Sequence, residues 1–280
     1  MRWWLLLLIP GSASADTPVR DPEATLPQIF HGPFSSSRLF AMPTADVIGA
    51  YMLSVSYDGS LLQQPGVLTS AGVLAAGFGD IAQLEYRHTS AISLTGVNAP
   101  VPTVGVQVEA PLPEWPYVPR FGVAVHIGVP RTEQIDGTSV TETVNDFYFV
   151  TRERLGPYLT LHGGVRVSPA KLQEGDQTLQ RTLALPAAGI ELRASDSASV
   201  IAEAAAVPQF MHAEIMYGFQ ARLGLRWRVI PSATFDASIG YQLSDDLVQQ
   251  WDIRLGAEVF VPWGALVCRA TGAFCEGDKK

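Results

Sequence analysis

Residues 215–229 read IMYGFQARLGLRWRV, and their side chains alternate between apolar and polar without interruption. One parity holds Ile215, Tyr217, Phe219, Ala221, Leu223, Leu225, Trp227 and Val229. The other holds Met216, Gly218, Gln220, Arg222, Gly224, Arg226 and Arg228. A period of two is typical of a β-strand, because successive side chains leave opposite faces of the backbone. An ordinary strand has about 5–6 residues, whereas a strand that crosses a bilayer needs about 9–11. We therefore expect a membrane-spanning strand with Trp227 on its lipid-facing side.

The same alternation recurs along much of the chain. It is clear at 235–243 and 251–261, and nine further segments carry it with varying strength: 47–57, 67–78, 81–94, 103–110, 120–129, 144–155, 158–168, 183–194 and 200–206. These segments predict an all-β fold, a transmembrane antiparallel up-and-down β-barrel of about 12 strands, with 10 or 14 as alternatives.

The joins between the predicted strands alternate in length. Short joins at 79–80, 155–157, 195–198 and 230–232 alternate with longer ones near 58–66, 94–102, 130–143, 169–181, 207–213 and 244–249. Outer-membrane barrels have short periplasmic turns and longer external loops. The segment 111–119 breaks the rhythm with four prolines, Trp115 and Tyr117, and is either a structured turn or an aromatic interface anchor. A soluble β-sandwich would also alternate, but its strands would be shorter.

The two ends of the chain predict export. Residues 1–15 are typical of a signal peptide, with Arg2, a short apolar run and a small-residue cleavage site. Residues 16–45 form a proline-rich lead-in that we expect in the periplasm, and whether it folds into the barrel is left open. The barrel is expected at 46–262, followed by a periplasmic tail at 263–280. In an exported protein, Cys268 and Cys275 of that tail are expected to form a disulfide.

Composition narrows the function. The formal net charge is −8, and removal of Arg2 with the signal peptide leaves 18 basic and 27 acidic residues, a net charge of −9. Nucleic-acid binding calls for concentrated positive charge and is not expected. The sequence carries no glycine-rich phosphate loop and no cluster of metal ligands, so no cofactor is expected.

The polar parity of the strands predicts a charged lumen. The candidate lumen-lining residues are Arg222, Arg226, Arg228, Asp236, Asp252, Arg254, Glu258, Glu85, Arg87 and Arg166. The arginines from Arg222 to Arg228 could line a path for anions, since charged rings set pore selectivity. Alternatively, Asp236 and Asp252 on neighbouring strands neutralise them, because a charge in a constricted interior needs a partner. The second interpretation is favoured.

The last predicted strand resembles the assembly signal of Gram-negative outer-membrane β-barrels, a polar residue, then glycine, then two hydrophobic positions. Here these are Arg254, Gly256, Val259 and Val261, followed by further residues rather than a terminal aromatic. Arg222, Gly224, Trp227 and Val229 fit the same pattern one hairpin earlier. The lead-in at 42–49 also resembles the start of the first strand in such barrels. The resemblance implies an outer-membrane location with both termini in the periplasm. The partners that it implies are outer-membrane lipids, lipopolysaccharide and the barrel-assembly machinery.

Two function classes follow. We expect a porin-like barrel without catalysis, either a narrow passive channel for small polar solutes or a structural, surface-exposed barrel with an ion-paired lumen. The alternative is an outer-membrane hydrolase acting on lipid or peptide, since His88 and Ser90 are spaced as in lipid A deacylases. That chemistry also needs a carboxylate to orient the histidine, and the sequence identifies none.

Overall fold

The computed structural model describes residues 37–40, 42–62, 68–79, 81–93, 96–97, 101–112, 118–135, 138–211, 214–243 and 249–264. Fourteen strands lie in one sheet. They are β1 (Met52–Leu62), β2 (Leu68–Phe78), β3 (Ala82–Ser93), β4 (Gly96–Val97), β5 (Val101–Glu109), β6 (Arg120–Gly128), β7 (Arg131–Ile135), β8 (Thr138–Leu155), β9 (Leu159–Glu174), β10 (Gln177–Arg193), β11 (Ala198–Met211), β12 (Glu214–Ile230), β13 (Ala233–Leu243) and β14 (Gln249–Pro262).

Twelve of these strands form a closed antiparallel barrel, which confirms the predicted fold and strand number. The ring closes because β1 pairs with both β14 and β2, and β2 pairs with β3. The short strands β4 and β7 are not part of the ring. β4 pairs with β3, and β7 pairs with β8. Among the described residues, no helix is long and apolar enough to span a membrane.

The two faces of the wall differ as the alternation predicts. Large apolar side chains of every barrel strand remain exposed on the outside, among them Trp227 at 49%, Phe149 at 50% and Ile253 at 57%. The opposite parity is buried and mostly polar, and it includes Arg222, Arg226 and Asp252. An apolar exterior around a polar interior is the reverse of a soluble protein and suits a wall surrounded by lipid.

The barrel has two distinct ends. The first described residues of β1, the end of β14 and the joins at 156–158, 194–197 and 231–232 lie at one end, which we name the turn end. The opposite end, where β1 meets β2 and β13 meets β14, is named the loop end. Gly79 and Gly156 take positive φ angles of 63° and 73° in turn-end joins, a conformation that favours glycine.

Three predicted long joins are wrong. The sequence predicts loops at 130–143, 169–181 and 207–213, but strands occupy most of these residues. β7 covers Arg131–Ile135 and β8 begins at Thr138, β9 runs to Glu174 and β10 begins at Gln177, and β11 runs to Met211. These strand ends extend beyond the apolar exterior, so they do not need an apolar face. Residues 173–178 accordingly include threonine, glutamine and glycine, and the apolar alternation that would predict a strand is weak there. The long-and-short rhythm of joins therefore holds for only part of the loop end.

The first strand also begins later than predicted. It starts at Met52 rather than at residue 47, and the preceding residues lie inside the barrel. Ala45 and Ile48, at 0% and 3% exposed, are buried as deeply as any wall residue. We name residues 37–50, of which residue 41 is not described, the lumen segment.

Candidate functional site

The lumen segment has its own local structure. Its first residues form a tight hairpin in which Arg38 pairs with Pro43. The Thr44 amide donates to the Ser37 carbonyl at 2.9 Å, and the Leu39 amide donates to the Met42 carbonyl at 2.9 Å. Only part of its backbone polar groups is satisfied in this way, so the barrel wall must supply the other partners.

Two glutamines of the wall supply several of those partners. The Gln107 amide nitrogen on β5 donates to the carbonyls of Thr44 at 2.9 Å and Asp46 at 2.6 Å. Gln83 on β3 accepts from the Ile48 amide at 2.9 Å. Both glutamine side chains are fully buried at 1% exposure. Since a buried amide left unpaired costs free energy, this pairing holds the backbone of the lumen segment in register with the wall.

Charged wall residues bind the segment on the other side. Glu203 on β11 accepts from the amides of Phe40 at 3.1 Å and Met42 at 3.4 Å. Arg226 on β12 donates to the carbonyls of Arg38 at 3.0 Å and Leu39 at 2.9 Å. One carboxylate and one guanidinium thus bind the hairpin through its backbone. These hydrogen bonds therefore do not depend on which side chains the segment carries at those positions.

Asp46 makes the main charge contact of the segment itself. Its carboxylate accepts a hydrogen bond from Arg152 on β8 and lies 3.8 Å from the Arg120 guanidinium on β6. Arg120 also pairs with Glu109 on β5. Asp46 is 5% exposed, so these arginines compensate a charge that is almost removed from water.

The wall is shaped to receive the segment. A Cβ added at Gly189 on β10 would overlap the Leu39 side chain, and one at Gly122 on β6 would lie 3.1 Å from the Ala45 Cα. Leu39, Met42 and Ala45 pack with Val150 and Ile201 of the wall in one buried apolar cluster. Glycine at the wall and small or apolar residues on the segment therefore form complementary surfaces.

The candidate lumen arginines Arg222, Arg226 and Arg228 have different kinds of partner. Arg222 binds both oxygens of Asp252 at 2.9 Å, and Arg226 binds Asp236 through two bonds of 2.9 Å. Arg228 instead lies towards the turn end, where its guanidinium donates to the Asp196 carbonyl at 2.9 Å. The three arginines therefore do not form a continuous ladder along the lumen, and the two deeper ones face carboxylates on neighbouring strands, as the neutralised interpretation expects.

The remaining candidate charges are also close to partners. Arg166 forms two hydrogen bonds to Asp146 at 2.7 and 2.8 Å, and Arg254 lies 3.5 Å from Asp58. Arg87 lies 3.3 Å from Glu85, and Glu258 accepts a hydrogen bond from Ser54. Among the described residues, the lumen charges form local pairs rather than a band of one sign.

A small cavity lies on one side of the lumen segment. A cavity of about 10 Å³, room for about one water molecule, lies between Arg38 and Phe40 of the segment and strands β1, β13 and β14. Its wall carries Asp58, Asp236 and Arg254.

The sequence does not predict that residues 37–50 lie inside the barrel. The signal of this segment was a short run of apolar residues, Met42, Val47 and Ile48, inside a proline-rich lead-in. Part of that run was assigned to the first strand because its alternation continues into β1. No local pattern shows that a segment turns back into a lumen, since its partners lie far away in sequence.

The residues proposed for hydrolysis are not brought into a described catalytic group. His88 is half-buried and lies on the outward-facing parity of β3, on which Leu84 and Tyr86 are exposed. The side chain of Ser90 lies outside the described residues, as do the predicted signal peptide, Trp115, Tyr117 and the cysteines Cys268 and Cys275. In the described part of the chain, no group of three or more histidines, cysteines or carboxylates is placed to hold a metal ion.

Three solved structures that resemble this barrel are outer-membrane proteins. The KdgM porin is similar with a TM-score of 0.52 and 11% identity, over 74% of this chain and 98% of that one. The NanC porin has a TM-score of 0.51 and 9% identity, over 73% and 98%. The COG4313 outer membrane channel from Pseudomonas putida F1 has a TM-score of 0.55 and 10% identity, over 79% and 97%. No protein-family model and no curated protein matches the sequence. The likeness shows that the chain has the fold of outer-membrane β-barrels.

Proposed function

We propose that the protein is an outer-membrane channel for small polar solutes whose pore is narrowed by its own lumen segment. The observation that carries the proposal is the reversed polarity of the wall, with buried charge inside and exposed apolar side chains outside. The three solved barrels named above are described as two porins and a channel, which supports passage through the lumen. The turn end faces the periplasm in this proposal, and the described site performs no catalysis.

In this proposal the route for solutes follows the side of the lumen that holds the small cavity, and it widens when the segment moves. Asp58, Asp236 and Arg254 line it, so a passing solute meets both signs of charge. Alternating charge favours small polar molecules over strongly charged ones, because no band of one sign attracts a single kind of ion. The side chain of Arg254 is 24% exposed, whereas that of Arg222 is 3% exposed, so of these two arginines Arg254 is the one within reach of solutes.

A filled, structural barrel is the second candidate. The extensive hydrogen bonding between the lumen segment and strands β3, β5, β11 and β12 favours it, since such contacts also suit a permanent core. In this case the loop end would be the functional surface and no solute would pass.

Single-channel recording in planar bilayers separates the two candidates. The full chain is expected to show small, steady conductance steps. Replacing Gln83 and Gln107 by alanine removes three hydrogen bonds to the segment backbone and is expected to enlarge the steps. Gln173→Ala, at an exposed site on β9, serves as the matched control and is expected to leave them unchanged. If neither the wild type nor the double variant conducts while both are shown to be folded, the channel proposal is wrong.

Charge substitution tests the route itself. Arg254→Gln is expected to shift the reversal potential towards cation preference, because one solute-accessible positive charge is lost. Arg222→Gln removes a charge that is buried against Asp252 and is expected to shift it less. Equal shifts in the two variants would place the solute route elsewhere in the lumen.

A further inference from the structure

The pairing between β10 and β11 covers only part of the length of the two strands. Their pairing covers only residues 187–193 with 199–205. β10 continues to Gln177 while paired with β9, and β11 continues to Met211 while paired with β12. In the described backbone of these two strands, residues 177–186 and 206–211 therefore have no ladder partner across this boundary, which we name the seam.

Proline stands on both edges of the seam. Pro186 is the residue of β10 next to the last paired position, and Pro208 lies on the facing edge of β11. Proline has no backbone N–H to donate to a neighbouring strand and is confined to strand edges. The two residues remove donors from both edges at the place where the ladder would continue, so the seam is a feature of the sequence as well as of the structure.

The seam starts at the level of the apolar exterior. Ala184 of β10 pairs with Val167 of β9, which pairs with Phe147 of β8. Val167 and Phe147 are exposed outward, at 38% and 46%. A bilayer that covers these residues also covers the lower part of the seam. Unpaired strand edges are otherwise avoided in hydrocarbon, because the free backbone groups find no partner there.

Side chains behind the seam form a buried apolar cluster. Leu183 and Leu185 of β10 are fully buried and pack with Ile215 of β12 in one cluster. Arg181 links the β9–β10 hairpin to the β11–β12 hairpin. Its guanidinium donates to the Ile215 carbonyl at 2.6 Å and lies 5.4 Å from the centre of the Tyr217 ring. Side-chain packing and this arginine, rather than a ladder, hold the seam closed.

We propose that the seam is a lateral site for an acyl chain of the surrounding membrane lipid. The chain enters between β10 and β11 and replaces part of the contact between Leu183, Leu185 and Ile215. Separating the hairpins there breaks no strand ladder, so the opening costs less than at any fully paired boundary. The apolar lining matches an acyl chain in chemistry, and the apolar exterior places it beside the seam.

Depth-resolved fluorescence quenching tests the proposal on the full chain. Single cysteines at Leu185, Ile190 and Ile201, with Cys268 and Cys275 replaced by serine, are labelled with a small nitrobenzoxadiazole fluorophore. The protein is reconstituted in phosphatidylcholine vesicles in which some acyl chains carry a nitroxide quencher. Ile190 faces outward at 48% exposure, and its quenching shows that the barrel has inserted. Ile201 is the matched control, since it is as deeply buried as Leu185 but lies in the paired part of the wall.

The expected result is strong quenching at Leu185, approaching that at Ile190 and several-fold above that at Ile201. Quenching at Leu185 as weak as that at Ile201, with Ile190 quenched normally, would overturn the proposal. A stable dimer in mild detergent with Leu185 protected would also overturn it, because the free edges would then pair with a second copy of the chain.

Discussion

At the scale of single residues, Arg226 connects the wall to the lumen segment. Its side chain is 2% exposed, and it binds Asp236 as well as two carbonyls of the segment. Arg226→Ala is expected to lower the free energy of unfolding by about 3 kcal/mol, because it leaves a carboxylate without its partner in the interior. Guanidinium titration of the protein in detergent micelles, followed by tryptophan fluorescence, measures the change.

Two further variants show whether that loss comes from the pair. Arg193→Ala breaks a pair whose Asp196 side chain is 95% exposed, and a change below about 1 kcal/mol is expected. Adding Asp236→Asn to Arg226→Ala is expected to recover part of the stability, since the uncompensated charge is then gone. The Asp236→Asn variant is measured alone as well. If the double variant loses as much stability as Arg226→Ala and Asp236→Asn lose together, the two groups are not coupled.

Gly189 tests the fit between wall and segment. Gly189→Ala places a methyl group against the Leu39 side chain and is expected to destabilise the barrel by about 1–3 kcal/mol, the usual cost of overpacking. Leu39→Ala in the same chain makes room and is expected to restore much of the loss. Gly72→Ala is the control, because a Cβ at Gly72 meets no atom within 4 Å. Equal effects at the two glycines would argue that backbone conformation, not the segment, sets the cost.

At the scale of elements, the strands were predictable and their loop-end extensions were not. The alternation in β12, β13 and β14 follows directly from one face meeting lipid, so each local window carries the signal. Above the apolar exterior both faces meet polar surroundings, and β9 and β10 lose the alternation where they continue. The seam is harder to predict from the sequence than the strands are, since it depends on which strand edges fail to pair and not on the pattern of any one strand.

The site was predictable only as a set of charges. Parity placed Arg222, Arg226, Asp236 and Asp252 on the inner face, and neighbouring strands made their pairing a reasonable expectation. The lumen segment was not predicted, because its contacts with Gln107 and Glu203 span 61 residues or more and depend on the finished barrel. Gln83 and Gln107, neutral residues among many charges, gave no signal of their role.

The lumen segment can be fixed in place to test its control of the pore. With Cys268 and Cys275 replaced by serine, Ala45→Cys and Gly122→Cys place two thiols on surfaces that are in contact. A disulfide between them is expected to keep conductance low and quiet, and its reduction is expected to raise the frequency of larger openings. The cysteine-free parent provides the control for the reductant. Identical traces before and after reduction, with the disulfide verified by mass, would show that the segment does not limit passage.

At the scale of the whole molecule, the apolar exterior and the two unlike ends fix how the barrel can sit in a membrane. Both ends of the ring of strands, Met52 and Pro262, lie at the turn end together with the joins at 156–158 and 231–232. Carrying Arg228 or Asp196 through hydrocarbon would be costly, so the barrel keeps the orientation in which it inserts. In the proposed orientation the barrel is assembled from the periplasm and the turn end remains there, which is also what the resemblance of β14 to an assembly signal at Arg254, Gly256, Val259 and Val261 implies.

Surface labelling of intact cells tests this orientation. Asp176 lies in the turn between β9 and β10 at the loop end, and Asp196 is exposed at the turn end. With the native cysteines replaced by serine, Asp176→Cys is expected to react with a membrane-impermeant maleimide on whole cells. Asp196→Cys is expected to react only after the outer membrane is permeabilised, because the bilayer separates it from the reagent. Equal labelling of both sites in permeabilised cells controls for thiol reactivity. Labelling of Asp196→Cys alone on intact cells would reverse the orientation, and the loop end would then face the periplasm.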